Sequence, residues 1–165
     1  MEKPNILQLS YRKNVSCIVF KDKKFLLVQL LAWPKDFWKF PQGGIETNET
    51  EEETIKRELF EELGIKKCKI IGVSSYKNQY DWDKNSLKLV NYKWRGQKQK
   101  FYVVEYLGEE NEIKLNKNEL RNYKWVNEKE CLKSIDNYLF ENYKNIIEKI
   151  LEEFKAYFII PHIKY

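Results

Sequence analysis

Histidine is almost absent from this chain of 165 residues, and the only one, His162, lies near the C-terminal end. Histidine is the side chain that most often activates a serine or cysteine nucleophile near neutral pH. A nucleophilic mechanism that depends on histidine therefore has no candidate in the body of the chain. The chemistry has to come from carboxylates, lysines and bound metal ions.

Cysteines are few, and Cys17, Cys68 and Cys131 are widely separated and odd in number. Zinc clusters and disulfide frameworks usually show paired cysteines at short or regular spacings. The sequence favours neither kind of site. A reducing compartment, the cytoplasm, is the expected location.

Long hydrophobic runs are also missing, since the longest, residues 25–33, is interrupted by Gln29. A membrane-spanning helix needs about 20 apolar residues. The first residues lack the charged-then-apolar pattern of a signal peptide, so we expect no membrane partner. With only 6 glycines and 4 prolines, no linker divides the sequence, and residues 1–165 are predicted to form one domain.

The composition is that of an ordinary globular protein, with 42% hydrophobic and 33% charged residues. The formal net charge is +5 and the isoelectric point is about 8.9. A positive surface suits an anionic partner such as a nucleotide or an RNA end.

The most informative feature is a group of carboxylates, Glu58, Glu61 and Glu62, at positions i, i+3 and i+4. On a helix this spacing places all three within roughly 100° of one face, where like charges repel. Hard divalent cations such as Mg²⁺ or Mn²⁺ take oxygen ligands and would neutralise them. The alternative is an ordinary acidic face in contact with solvent.

The helix that carries these carboxylates is well specified at both ends. Thr50 and Glu53 have capping-box spacing, and Gly64 suits the position after the last helical residue. A neighbouring apolar face repeats every four residues and comprises Ile55, Leu59 and Leu63. One helix is therefore expected to pack on a core and to bind metal.

Residues 43–65 fill every fixed position of the pattern Gly-x5-Glu-x7-Arg-Glu-apolar-x-Glu-Glu-x-Gly-apolar. This pattern is the Nudix box, and the chain resembles the Nudix hydrolases. The resemblance implies an α/β fold, an α/β/α sandwich with a mixed β-sheet. The strand-like runs 15–20, 25–30, 69–74 and 100–106 and the helical periodicity after residue 126 agree with it. The runs 15–20 and 25–30 are predicted to form a hairpin.

The resemblance extends beyond the box to residues 11–15, 38–45 and 96–101, with the sequences Tyr-Arg-Lys-Asn-Val, Trp-Lys-Phe-Pro-Gln-Gly-Gly-Ile and Gly-Gln-Lys-Gln-Lys-Phe. These segments are similar to those of bacterial RNA pyrophosphohydrolases and plant-type diadenosine tetraphosphate hydrolases. The implied partner is a nucleotide polyphosphate, either a dinucleoside polyphosphate or the 5′ end of RNA, cleaved with the help of Mg²⁺ or Mn²⁺.

The resemblance also implies roles for individual residues. A carboxylate outside the box completes the metal site in these families, and Glu119, ahead of Trp125, matches it, with Glu112 as second choice. The expected metal ligands are Gly43, Glu58, Glu61, Glu62 and Glu119. The expected catalytic residues are Glu61, Glu62, Glu119 and Arg57, of which Arg57 pairs with Glu49 in support. The expected substrate-binding residues are Arg12, Lys35, Tyr80, Lys98, Lys100 and Tyr138.

Two positions depart from the relatives, because Leu31 and Leu139 stand where these families supply cations for phosphate. Lys35 is the candidate to replace one of them. Substrate binding is therefore expected to depend more on base stacking than it does in the RNA pyrophosphohydrolases. Two other functions stay open: a pyrophosphatase that removes free or oxidised nucleoside triphosphates, and a non-catalytic Nudix-fold sensor of nucleotides or RNA.

Overall fold

The computed structural model describes residues 2–136 and 142–159. Its strands and helices are β1 (Tyr11–Lys21), β2 (Lys24–Leu30), β3 (Gln42–Gly44), α1 (Glu51–Leu63), β4 (Cys68–Asp81), α2 (Lys84–Leu89), β5 (Gly96–Tyr106), β6 (Leu120–Val126), α3 (Glu128–Ile135), α4 (Tyr143–Glu153) and α5 (Lys155–Ile159), with short 3-10 helices at Ile6–Gln8 and Glu110–Glu112. No helix among these residues is long and apolar enough to cross a membrane.

Five strands form a sheet in the order β4-β5-β1-β2-β6, and β3 pairs with β1 beside it. Strands β1 and β5 run parallel, whereas the other pairs are antiparallel. The predicted hairpin of β1 and β2 is confirmed, and its turn has two residues with positive φ, Asp22 and Lys23. Positive φ at both central residues matches the right-handed twist of the strands.

The sheet separates two apolar layers, because successive side chains of β1 point to opposite faces. Val15, Cys17 and Val19 pack with the apolar face of α1. Ile18 and Phe20 pack with α4 and α5 on the other side. The predicted α/β class, with a mixed sheet between helices, is confirmed.

Helix α1 begins and ends as predicted. Thr50 accepts a hydrogen bond from the backbone N–H of Glu53, the Glu53 side chain accepts one from the N–H of Thr50, and Gly64 ends the helix with a φ of 65°. Its buried face contains Ile55 and Leu59. The carboxylates on the adjoining face are therefore fixed to a rigid element that is anchored in the core.

One strand is longer than expected. The predicted run 69–74 is part of strand β4, which continues to Asp81 with irregular pairing between Val73 and Lys77. The extra length pairs Tyr80 with Gln97 of β5. Tyr138 and Leu139 lie outside the described residues.

Candidate active site

A cavity of about 550 Å³ opens beside α1, between the first half of β1, the end of β2 and strand β3. It is lined by Arg12, Asn14, Leu30, Leu31, Ala32, Lys39, Gln42, Gly43, Gly44, Glu58, Glu62, Gln97, Asn118 and Glu119. Five of the predicted site residues are among them: Arg12, Gly43, Glu58, Glu62 and Glu119. The fold thus brings helix α1, strand β3 and Glu119, which is distant in sequence, to one cavity.

Glu62 is the most deeply placed of these carboxylates, with only 6% of its surface exposed. Its Oε2 atom is buried and has no hydrogen-bond partner in the described part of the chain. Burial raises the pKa of Glu62, and the charges of Glu58, Glu119 and Glu61 raise it further, against the opposite effect of Lys39. A buried carboxylate oxygen without a partner is costly unless a cation joins it.

Glu58 lies one helical turn before Glu62 and shares its environment. Burial raises its pKa, the hydrogen bond and charge of Arg57 lower it, and the charges of Glu61 and Glu119 raise it again. Like charges at such close range disfavour simultaneous ionisation. The cavity therefore favours the binding of positive charge.

Glu119 reaches this site from the segment ahead of β6. Its carbonyl accepts a hydrogen bond from the N–H of Leu31, at 2.9 Å, and Asn116 in the same segment donates to the carbonyl of Glu62, also at 2.9 Å. These bonds tie the segment to both β2 and α1. Glu112, the second choice, does not line the cavity and forms an ion pair with Lys67 at 3.3 Å.

The two glycines of β3 are required by close approach. A Cβ atom on Gly43 would lie 2.0 Å from Cδ of Glu58, and one on Gly44 would lie 2.3 Å from a guanidinium nitrogen of Arg12. Any side chain there would displace the carboxylate or the guanidinium. Glycine leaves the room that both groups need at the cavity wall.

Arg57 holds the loop before α1 onto the helix. It donates to Glu49 at 2.7 and 2.9 Å and to the carbonyl of Gly44 at 3.0 Å. It also donates to Glu58 at 2.8 Å. The predicted pair of Arg57 and Glu49 is confirmed, and the hydrogen bond from Arg57 lowers the pKa of Glu49 to about 2.

Glu61 lies at the edge of this arrangement. Its side chain is 51% exposed, it accepts a hydrogen bond from Arg57 at 3.3 Å, and it does not line the cavity. Its charge nevertheless raises the pKa of both Glu58 and Glu62. Glu61 is close enough to influence the site, but its exposure separates it from the two inner carboxylates.

Lys39 is a residue of the site that the sequence interpretation did not single out. It lines the cavity, is only 4% exposed, and its backbone pairs with Val28 through hydrogen bonds of 2.8 and 3.0 Å. Burial lowers its pKa, which the charges of Glu62 and Glu58 partly oppose. The signal available in the sequence was its position between two aromatic residues, Trp38 and Phe40.

Tyr80 lies beside the cavity and does not line it. Its hydroxyl accepts a hydrogen bond of 3.0 Å from the side-chain amide of Gln97, which is a lining residue. Burial raises the pKa of Tyr80 to about 12. Its role in substrate binding stays a prediction.

Lys98 and Lys100 are not brought to the cavity, because side chains alternate along β5. Gln97 and Gln99 are buried on the side of the cavity, whereas Lys98 is exposed and Lys100 forms an ion pair with Glu51 at 2.7 Å. Lys35 lies in an exposed loop outside the cavity lining. Tyr138 lies outside the described residues, so the predicted roles of these residues are untested.

The side chains around the cavity suit a hard metal ion. Within residues 2–136 and 142–159 no three acidic, histidine or cysteine side chains form a ready-made metal cluster. The carboxylates that line the cavity, Glu58, Glu62 and Glu119, nevertheless offer oxygen donors, one of them the unpartnered Oε2 of Glu62. This donor set fits Mg²⁺ or Mn²⁺ better than zinc.

The family described as NUDIX domain matches residues 10–149. The chain belongs to the Nudix family. The predicted enzyme class, a Nudix hydrolase with pyrophosphohydrolase activity, is thereby confirmed, and Nudix hydrolases generally use divalent metal ions.

Similar sequences agree with this assignment over most of their length. The chain is 31% identical to an RNA pyrophosphohydrolase of Bartonella henselae, over 93% of this chain and 95% of that protein. It is 33% identical to an RNA pyrophosphohydrolase of Zymomonas mobilis, over 90% of this chain and 97% of that protein. The predicted resemblance to RNA pyrophosphohydrolases is confirmed.

Solved structures share the fold at low sequence identity. An Ap4A hydrolase of C. elegans in a binary complex has a TM-score of 0.63 and 17% identity, covering 87% of this chain and 98% of that one. The dihydroneopterin triphosphate pyrophosphohydrolase of E. coli has a TM-score of 0.65 and 17% identity, covering 87% and 99%. These likenesses concern the fold alone.

Proposed function

We propose that this Nudix hydrolase uses Mg²⁺ or Mn²⁺ to cleave a phosphoanhydride bond of a nucleotide polyphosphate, either a 5′-triphosphorylated RNA end or a dinucleoside polyphosphate. The observation that carries the proposal is the unpartnered Oε2 of Glu62 in a cavity that also contains Glu58 and Glu119. A non-catalytic sensor would have no need to retain this repulsive group.

Glu58, Glu62 and Glu119 would hold the cations, with the backbone of Gly43 alongside and Glu61 at the rim. Bound metal would supply an activated water and would neutralise charge on the phosphates. Glu61 and Glu119 are the candidates to accept the proton of that water, since Glu61 is exposed and Glu119 comes from a different element. Arg57 is a positioning residue that fixes Glu58 and the loop at Gly44.

Arg12 is the candidate for binding phosphate. Its guanidinium lies against Gly44 and it lines the cavity that contains the carboxylates. A guanidinium offers a planar pair of donors that match two phosphate oxygens. Lys39 adds a second, buried positive charge beside the same carboxylates.

The choice between the two substrates depends on the rim of the cavity. The relatives named RNA pyrophosphohydrolase support an RNA end. Against this, Leu30, Leu31 and Ala32 make one side of the rim apolar, and Leu31 is 46% exposed. An apolar rim offers no ion pair to phosphate and suits contact with a base, which supports the dinucleoside polyphosphate.

The decisive experiment compares kcat/KM for 5′-triphosphorylated RNA, diadenosine tetraphosphate and the four nucleoside triphosphates, with Mg²⁺ or with Mn²⁺. We expect turnover of at least one of the first two to exceed that of every free triphosphate. A preference for a free triphosphate would favour the clean-up pyrophosphatase. Binding without turnover under all these conditions would favour the sensor and would refute the proposal.

A further inference from the structure

A second groove, of about 1220 Å³, adjoins the active-site cavity at Gly44. The two hollows share Arg12, Gly44 and Glu58 as common walls. Beyond this shared wall the second groove is lined by Lys13, Lys93 and Trp94, among others. A polyphosphate in the active-site cavity could therefore continue directly into the second groove.

Trp94 is held in place by the segment that joins α2 to β5. The neighbouring Arg95 donates to both oxygens of Asp81, at 2.9 and 3.0 Å, and its guanidinium lies 5.3 Å from the ring of Tyr11. The N–H of Arg95 also donates to the carbonyl of Ser10 at 2.9 Å. These contacts fix the backbone next to Trp94, so the indole is a half-buried, well-positioned side chain.

The groove combines an aromatic ring with positive charge. The ammonium group of Lys93 lies 5.2 Å from the ring centre of Trp94, and Lys13 is exposed on β1. Glu46, Glu49 and Glu58 also line the groove, but Arg57 is hydrogen-bonded to Glu49 and Glu58 and forms an ion pair with Glu46 at 3.9 Å. Arg12, Lys13 and Lys93 form no salt bridge in the described part of the chain, so their charges remain available to an anion.

We propose that this second groove binds the second nucleoside of a dinucleoside polyphosphate whose phosphate chain lies across Gly44. The proposal rests on the proposed function, because the phosphate chain has to enter the metal cavity. Trp94 stacks on the distal base, and Lys13 and Lys93 contact the phosphates nearest to it. Aromatic stacking accepts any base, whereas the lysines require a charged chain.

The test compares diadenosine tetraphosphate with adenosine 5′-tetraphosphate, which has the same phosphate chain and lacks the second nucleoside. In the wild type we expect a lower KM for the dinucleotide. Trp94→Ala should raise KM for the dinucleotide by about 5- to 100-fold, the effect expected from losing one base stack. The KM for adenosine tetraphosphate and both kcat values should change little.

Two further variants separate stacking from a loss of structure. Trp94→Phe retains an aromatic face and should recover most of the affinity for the dinucleotide. Lys88→Gln removes an exposed lysine of α2 that does not line the groove, and it should behave as wild type. Equal loss for both substrates in Trp94→Ala, or no loss for either, would overturn the proposal.

Other outcomes are equally decisive. If Trp94→Ala slows conversion of triphosphorylated RNA and leaves the dinucleotide unaffected, the groove holds the body of an RNA and the proposal is wrong. If the wild type hydrolyses neither tetraphosphate, the proposed function fails in its dinucleotide form. Calorimetry can then test the groove separately, by measuring the affinity of wild type and Trp94→Ala for each tetraphosphate. The groove proposal is supported only if wild type binds the dinucleotide more tightly than adenosine tetraphosphate and Trp94→Ala loses this difference.

Discussion

Glu49 and Glu62 are both shielded carboxylates next to helix α1, and their surroundings are opposite. The side chain of Glu49 is 12% exposed and receives two hydrogen bonds from Arg57, whereas Glu62 is 6% exposed and has an unpartnered oxygen. The pKa of Glu49 is lowered to about 2 by Arg57, and that of Glu62 is raised by burial.

This difference distinguishes Glu49, which holds the loop onto the helix, from the carboxylates of the box that line the cavity. At Glu49 the protein supplies its own cation, so the group is satisfied without any ligand. At Glu62 burial and the negative charges of Glu58 and Glu119 oppose the charge of Lys39, and Oε2 has no hydrogen-bond partner in the described part of the chain. A native protein retains such a repulsive cluster at a cost in stability, and functional sites are where that cost is commonly found.

Among the experiments that test the difference between Glu49 and Glu62, removal of metal should have the largest effect on activity. EDTA should abolish hydrolysis completely and leave the fold intact, because the core lies in the two apolar layers and not at the cavity. Adding Mg²⁺ or Mn²⁺ should raise the melting temperature, since a ligand that binds only the native state stabilises it. A large fall in melting temperature when EDTA is added to substrate-free protein would point instead to a structural metal.

Substitution of the inner carboxylates comes next. Glu62→Gln and Glu58→Gln should each lower kcat by more than about 100-fold, which exceeds the usual effect of losing a supporting contact to a metal ligand. The same variants should raise the free energy of unfolding measured in EDTA, because repulsion in the cavity is relieved. Glu61→Gln should also lower kcat, with a smaller gain in stability, since Glu61 is half exposed.

The matched control for these variants is Glu52→Gln on the same helix. Glu52 is exposed and pairs only with Lys56, at 2.9 Å, in the part of the chain that the structure describes. The Glu52→Gln substitution should leave kcat unchanged and alter the free energy of unfolding by less than about 0.5 kcal/mol. Wild-type turnover in all of the Glu58, Glu61 and Glu62 variants would refute the catalytic assignment.

The supporting cluster, which comprises Arg57 and Glu49, should respond in the opposite way, because a substitution there should lower the stability of the metal-free protein. Arg57→Lys removes the planar fork that joins Glu49, Gly44 and Glu58, and lysine cannot reproduce these bonds. We expect a loss of about 1–3 kcal/mol in the free energy of unfolding and a fall in kcat of about 10- to 100-fold through misplacement of Glu58. Unfolding in urea and steady-state kinetics on the same preparation measure both effects.

If Arg57→Lys instead stabilised the metal-free protein, the distinction between the two clusters would be wrong. Arg121→Lys is a suitable control of the same chemistry, because Arg121 hydrogen-bonds the carbonyls of Leu31 and Trp33 away from α1. It should change stability modestly and leave the carboxylate geometry intact.

The sequence predicted those parts of the fold whose signals are local. Helix α1 is defined by signals within one short segment. These are the capping box of Thr50 and Glu53, the apolar spacing of Ile55 and Leu59, and Gly64 at the end of the helix. The strand-like runs that form β1 and β2 are adjacent, so their hairpin was also predictable. The prediction of a metal site depended on the spacing of Glu58, Glu61 and Glu62, which helical geometry places on one face.

The parts of the site that sequence patterns do not predict depend on long-range pairing. The resemblance implies substrate contacts for Lys98 and Lys100, whereas the register of β5 places Gln97 in the lining of the cavity. A shift of one residue in a strand reverses which side chains face the site. Lys39 was overlooked because its burial beside Glu62 arises only when β2, β3 and α1 are assembled.

The smallest expected effect is on the pH dependence of stability in EDTA, and it tests the opposite pKa shifts directly. The folded pKa of Glu49, about 2, lies below its ordinary value of 4.5, so its contribution is present above pH 4.5 and is lost as the pH falls towards 2. Solvent screening should limit it to about 1 kcal/mol. The folded pKa of Glu62 is raised, so its contribution is present below pH 4.5 and is lost as the pH rises through the folded pKa.

Urea unfolding of wild type, Glu49→Gln and Glu62→Gln between pH 3 and 8, with EDTA present, separates the two groups. The advantage of wild type over Glu49→Gln should shrink on the acid side, because the charge on Glu49 that pairs with Arg57 is then titrated away. The advantage of Glu62→Gln over wild type should grow towards neutral pH, because only wild type then ionises a carboxylate in the cavity. Parallel curves for all three proteins would mean that the two carboxylates occupy equivalent environments, and the comparison would fail.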